Sequence, residues 1–147
     1  MPTINDVTII LVEDNDGHAR LIEKNLRRAN ISNEIVKLED GQLMLDYLFA
    51  EEGYVNTPHH PPLLVLLDLN LPMVDGYQVL EQMKANERTK AIPIIILTTT
   101  DDGYEINRCY ELGANIYITK PVEYTQFAEA ISKLGLFLSV VMLPDGK

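Results

Sequence analysis

Leu63–Leu80 reads LLVLLDLNLPMVDGYQVL. Five apolar residues in a row stop at a single acid, Asp68, and the chain then turns through Pro72 and Asp75-Gly76. An uninterrupted apolar run bounded by turn residues fits a strand buried on both faces, the kind found in parallel sheets covered by helices. The proline and the Asp-Gly pair mark a loop. Beyond them GYQVLEQMKAN places Val79 and Met83 four apart, on one face of a helix. The stretch therefore predicts strand, loop and helix, with one carboxylate at the strand's end.

The same unit recurs on either side. VTIILVED (7–14) is a second apolar run that ends in acids, and Ala19, Ile22, Leu26 and Ala29 follow it at helical spacing. Asn15 or Asp16 can cap that helix, and Asp16 is the expected cap. NEIVKLED is a shorter strand and GQLMLDYLF a short helix with Leu45 and Leu48 among its apolar positions. Residues 50–62, AEEGYVNTPHHPP, form a loop without a core pattern. IPIIILTTT is another strand, DDGYEINRCYELGAN a helix closed by Gly113, IYIT a last strand, and EYTQFAEAISKLGLFLSV a last helix. Five β-α units with buried strands predict a doubly wound, flavodoxin-like α/β fold: a five-stranded parallel sheet covered on both faces. The order 2-1-3-4-5 is favoured, with functional loops at the carboxyl ends near the switch point between strands 1 and 3.

The totals narrow the function. The 147 residues suit one domain, and 46% of them are hydrophobic, a value of folded rather than disordered chains. With 12 basic and 22 acidic residues the net charge is -10, which argues against nucleic acid and anionic membrane surfaces as partners. Cys109 is the only cysteine, so no intrachain disulfide is possible, as expected in a reducing cytoplasm. The N-terminus has no basic region before its apolar run, and no apolar stretch approaches the roughly 18 residues of a membrane span. A cytoplasmic domain is expected.

The strand ends carry the chemistry. Strand 1 ends in Glu13 and Asp14, strand 3 in Asp68, strand 4 in Thr98, Thr99 and Thr100, and strand 5 in Thr119, Lys120 and Pro121. Strands 1 and 3 would be neighbours, about 4.8 Å apart. Three carboxylates would then share a small volume, which calls for a cation or a proton. A hard divalent cation, Mg²⁺ or Mn²⁺, suits oxygen ligands of this kind. Lys120 adds a fixed positive charge and Thr98 a hydroxyl donor. Together these are the parts for phosphoryl transfer to a carboxylate.

On these residues the chain resembles a known family. The Glu13-Asp14 pair, LLDLNLPMVDG, IIILTTT and YITKP look like the motifs of the response-regulator receiver domain of two-component signalling, in the right order and over nearly the whole chain. The resemblance implies that Asp68 is the phospho-acceptor and that Glu13 and Asp14 bind Mg²⁺ with it. It implies that Asn70 offers its backbone carbonyl to the metal, that Thr98 is the switch hydroxyl, that Lys120 contacts the phosphoryl group and that Tyr117 is the aromatic switch. It further implies a cis peptide before Pro121 and tuning of the acyl-phosphate lifetime by Asn70 and Thr100. The loop EEGYVNTPHHPP and the C-terminal FLSVVMLP are similar to single-domain regulators paired with cyanobacterial phytochromes, which form homodimers and receive phosphate from a phytochrome-type histidine kinase.

Simpler readings exist for each residue. Asp68 alone is a strand-end turn residue, Glu13 and Asp14 are helix caps, Thr98 a strand threonine, Lys120 a solvated lysine and Tyr117 core packing, facing opposite to Ile116 and Ile118. Their joint register favours the switch. His59 and His60 read as surface residues, and Cys109 as packing. The apolar tail Leu136–Leu143, with Phe137, Leu138 and Val141, either folds back or covers a partner, and a homodimer contact is favoured. A haloacid dehalogenase-type phosphatase would need an acid two residues after Asp68, where Asn70 stands. A flavin carrier would need a Ser/Thr/Gly phosphate loop where EDNDG stands. The expected protein is a single receiver domain over 1–147 with an extended tail and no output domain. It is the substrate and partner of an enzyme, catalysing only its own phosphorylation and slow dephosphorylation, and its output is contact with another protein.

Overall fold

A computed structural model of the chain describes residues 6–58, 61–120, 123, 125, 126, 129 and 130. The expectations for His59, His60, the peptide at Pro121, most of the last helix, and the tail with Phe137, Leu138 and Val141 fall outside the described residues.

Each apolar run forms a strand: β1 (Thr8–Val12), β2 (Ile35–Leu38), β3 (Leu63–Leu67), β4 (Ile94–Thr98) and β5 (Ile116–Thr119). Among the described residues four helices alternate with them: α1 (Asp16–Arg28), α2 (Gly41–Phe49), α3 (Gly76–Ala85) and α4 (Gly103–Glu111). All strand pairs are parallel, in the order β2-β1-β3-β4-β5. The expected architecture and order are those observed.

The sheet divides the core in two, because successive side chains on a strand point to opposite faces. Ile9, Leu11, Leu64, Leu66, Ile95 and Leu97 pack with Ala19, Ile22 and Leu26 of α1 on one face. Ile10, Val12, Val65, Leu67, Ile94 and Ile96 pack with Met44 and Leu48 of α2, Val79, Leu80 and Met83 of α3, and Cys109 of α4 on the other. Every residue of β1, β3 and β4 is buried, which is why those strands read as continuous apolar runs rather than alternating ones.

Helix ends follow local chemistry, with one correction. Asn15, not Asp16, caps α1: its side chain accepts from the His18 amide at 2.9 Å, and Asp16 becomes the first helical residue. There it places a negative charge at the positive end of the helix dipole, which is favourable in its own right. Asp75 and Gln78 form a reciprocal capping box at the start of α3. At the end of α4, Gly113 takes φ 110, and the amides of Gly113 and Ala114 donate to Tyr110 and Cys109 carbonyls, the Schellman arrangement that favours glycine. Asn30, at φ 66, closes α1 in the same way.

The part of the expected loop from 50 to 58 is more ordered than its composition implied. Tyr54–Asn56 makes a 3-10 turn, and Tyr54 packs against the core. Asn56 Nδ2 donates to the Ala50 carbonyl at 3.0 Å and Thr57 Oγ1 to the Gly53 carbonyl at 2.8 Å. One aromatic anchor and two side-chain bonds thus replace the periodic pattern that helix or strand would have shown. No helix among the described residues is long and apolar enough to cross a membrane.

Cys109 is fully buried, as expected of a packing residue, and burial pushes its thiol up. A thiol reagent at neutral pH is expected to leave the native protein unlabelled and to label one site per chain in denaturant. Rapid native labelling would contradict this packing.

Candidate functional site

β1 and β3 end at the same level and β4 runs two residues further, to Thr98, so the residues that follow meet at one edge of the sheet. Val12 pairs with Leu67, which sets Glu13 beside Asp68. Glu13 and Asp68 are buried and Asp14 is exposed. Carboxylate oxygens of all three lie within 4.8 Å of one another. Lys120 follows β5 directly, and its amide donates to the Thr98 carbonyl at 2.7 Å, which fixes the backbone that carries the lysine.

The lysine is not a solvated surface residue. Its side chain is 6% exposed, and its ammonium donates to Glu13 Oε1 and, at 3.2 Å, to Asp68 Oδ2. Asp68 is held further by the Asn70 amide, which donates to Oδ1 at 3.2 Å. Glu13 Oε2 accepts from the Asn15 amide at 3.1 Å. Burial pushes the Glu13 carboxyl above its ordinary 4.5, the hydrogen bond from Lys120 opposes this, and the neighbouring Asp68 charge adds to it.

The loop after β3 is drawn tight over this edge. Val74 N donates to the Pro72 carbonyl at 2.8 Å across Met73, whose φ of 70 makes a strained γ-turn. Gly76 N donates to the Leu69 carbonyl at 2.9 Å. A Cβ at Gly76 would lie 2.4 Å from the Asp68 carbonyl oxygen, so only glycine lets α3 start this close to the acid.

The expected residues thus gather. Glu13, Asp14, Asp68, Asn70 and Lys120 line one cleft of about 260 Å³. Three hard oxygen donors with one ammonium leave two negative charges if all ionise, and such a donor set fits Mg²⁺ or Mn²⁺. Thr98 lies at the same edge but is fully buried, and its hydroxyl has no hydrogen-bond partner among the described residues. Tyr117 is half-buried, packs on the core face opposite to Ile116 and Ile118, and donates its hydroxyl to the Thr100 carbonyl at 2.6 Å. It ties β5 to the loop after β4.

The cleft is also lined by Asn15, read from the sequence only as a cap, by Thr99, read only as a strand-end residue, and by His18, which the sequence reading missed. His18 Nδ1 lies 3.2 Å from the Lys120 ammonium and 4.0 Å from Glu13 Oε2. The available signal was its place in the first turn of α1, directly after the acidic pair.

Residues 9–132 match the response regulator receiver domain family, and the chain belongs to it. A receiver domain from Rhodospirillum rubrum is 55% identical, with a TM-score of 0.74 over 91% of this chain and 94% of that one. Response regulator Rcp1 of Synechocystis is 36% identical over 137 residues, 92% of each chain. The structure of its Mn²⁺-bound form has a TM-score of 0.71 over 93% of this chain and 98% of that one. The phosphorylated cyanobacterial phytochrome response regulator RcpA is 35% identical, with a TM-score of 0.70 over 88% and 91%.

Burial pushes the Tyr117 phenol up to about 12, with the charges of Cys109, Glu105, Asp101 and Asp102 acting the same way. Burial raises Tyr77 still more strongly. An acid whose folded value is raised stabilises the fold below its unfolded value and loses that contribution as pH climbs through the folded one. For Tyr117 the loss falls between about pH 10, the unfolded value, and about 12. A spectrophotometric titration should therefore show a late class of tyrosines that ionise together with alkaline unfolding. Replacing Tyr117 by Phe should remove one residue from that class.

Proposed function

We propose that this receiver domain accepts a phosphoryl group on Asp68 from a histidine of a sensor kinase and passes the signal on through protein contacts. The observation that carries the proposal is the buried Asp68 carboxylate at the base of a small cleft, with the Lys120 ammonium at 3.2 Å and two further acids in reach. An Asp68 oxygen attacks phosphorus, the bond from phosphorus to the histidine nitrogen breaks as the new P–O bond forms, and the imidazole leaves with its electron pair. Lys120 exchanges a carboxylate acceptor for a phosphoryl oxygen. Glu13, Asp14, Asp68 and the Asn70 carbonyl would hold Mg²⁺ or Mn²⁺, which when bound neutralises the phosphoryl oxygens.

Thr98 is the switch hydroxyl in this reading. A buried hydroxyl without an acceptor is costly, and a phosphoryl oxygen on Asp68 would give it one. Movement of Thr98 pulls on Thr99 and Thr100 and so on the bond from Tyr117. Asn70 and Thr100 set the lifetime of the acyl phosphate by controlling water at the cleft. The likeness to RcpA, a phytochrome response regulator, supports a phytochrome-type kinase as the donor, and a single cysteine suits a cytoplasmic setting. The domain acts as one unit over 1–147, and the apolar tail with Phe137, Leu138 and Val141 covers a second copy to form a homodimer.

Incubation with Mg²⁺ and acetyl phosphate, followed by intact mass measurement, should add one phosphate per chain, and Asp68→Asn should abolish it. An unmodified wild type, or a modified variant, would overturn the assignment. Changing Phe137 and Leu138 to polar residues should shift the mass in solution from dimer to monomer, and an unchanged mass would rule the tail out as the contact.

A further inference from the structure

The Lys120 ammonium has three N–H donors and lies in a site that water barely reaches. Two of the donors go to Glu13 and Asp68, both of which belong to the carboxylate cluster that fits a divalent cation. The third has His18 Nδ1 at 3.2 Å, on a different element and outside that cluster. An ammonium offers donors only, so the ring nitrogen facing it must be an acceptor, with the proton on Nε2. The imidazole side chain is 46% exposed and is held by the first turn of α1, which Asn15 caps. It stands beside the lysine, at the mouth of the cleft.

We propose that His18 is a positioning residue: it holds Lys120 among the acids by supplying the third acceptor, and so sets how readily a divalent cation enters. This rests on the reading above that the cluster takes such an ion. Lys120 and the ion are both positive and share the oxygens of Glu13 and Asp68, so each weakens the hold of the other. With the imidazole present, the lysine in its resting place has all three donors met. Without it, that donor has no fixed acceptor and must order a water in the space the exposed ring leaves, which is less favourable than the preset ring nitrogen. The resting arrangement is then less favourable, and by linkage the cation binds more tightly. His18 touches neither the phosphoryl acceptor nor the reacting atoms. It acts through the lysine.

The test measures Mn²⁺ binding to the full chain from the magnetic resonance signal of the free ion, at a fixed pH of about 7.5. His18→Leu and His18→Ala remove the acceptor, whereas His18→Gln keeps an oxygen that can accept from an ammonium. Circular dichroism checks that each variant folds, which the exposure of this side chain favours. Leu and Ala should tighten Mn²⁺ binding about three- to tenfold, with Gln within about twofold of wild type. Leu and Ala variants that bind as wild type does would overturn the proposal. Weaker binding in both would overturn it too and would make the imidazole a ligand of the ion. A wild type that takes up no Mn²⁺ would instead overturn the cation reading itself. Equal tightening in Gln would show that the ring's bulk, not its acceptor, is responsible, and would also sink the idea.

Discussion

A buried ammonium between two buried carboxylates organises the active edge of this protein. Lys120 sits between Glu13 and Asp68, each carried by a different strand end. Taking such charges out of water costs several kcal/mol per ion unless each finds a partner, and removing one partner strands the others. The arrangement thus couples β1, β3 and β5 across the sheet without any covalent link. It also leaves the cluster short of positive charge, since three acids face one ammonium. That deficit makes the cleft receptive to a divalent ion and to a phosphoryl group accompanied by one.

The rest of the fold serves to keep that edge in register. The pairings of Val12 with Leu67, Leu67 with Ile96 and Ile96 with Tyr117 align four strands, so the segments that follow them meet at one edge. Two apolar layers of fully buried Ile, Leu and Val side chains hold the sheet between its helices, and a close-packed interior gives the strand ends little freedom to drift. Gly76 extends the same constraint to α3, because its missing Cβ lets the helix start against the Asp68 backbone. The acid is accordingly fixed from both sides, by the strand before it and by the loop after it. A soft point at this edge is Thr98, whose hydroxyl is buried with no partner among the described residues, in a strand otherwise bonded on both edges. The bond from Tyr117 to the Thr100 carbonyl lies just beyond it. A change of acceptor at Thr98 therefore has a short path to a half-buried aromatic ring on the last strand.

Much of this was legible before any coordinates. Strands buried on both faces must be apolar at every position, so β1, β3 and β4 announced themselves, and a polar residue directly after such a run has to lie at a sheet edge. The acidic pair, Asp68, Thr98 and Lys120 were recognisable for that reason. The misreadings arose where two local solutions compete. Asn15 and Asp16 are both good caps, and the choice depended on which residue the strand end presents to the first helical amides. The segment 50–58 drew its order from Tyr54 reaching the core, a long-range contact that no periodicity reveals.

By itself, the sequence determined the element types, their alternation and the identity of the acids at the edge, because burial on two faces and helical spacing are local patterns; it favoured the strand order without determining it. Tertiary structure alone decided how those groups face each other. Whether Lys120 is solvated or enclosed, whether Thr98 has a partner, and whether His18 meets a residue 102 positions away are matters of distance between segments. Such distances depend on sheet twist and helix placement, which many residues set together and no short stretch encodes.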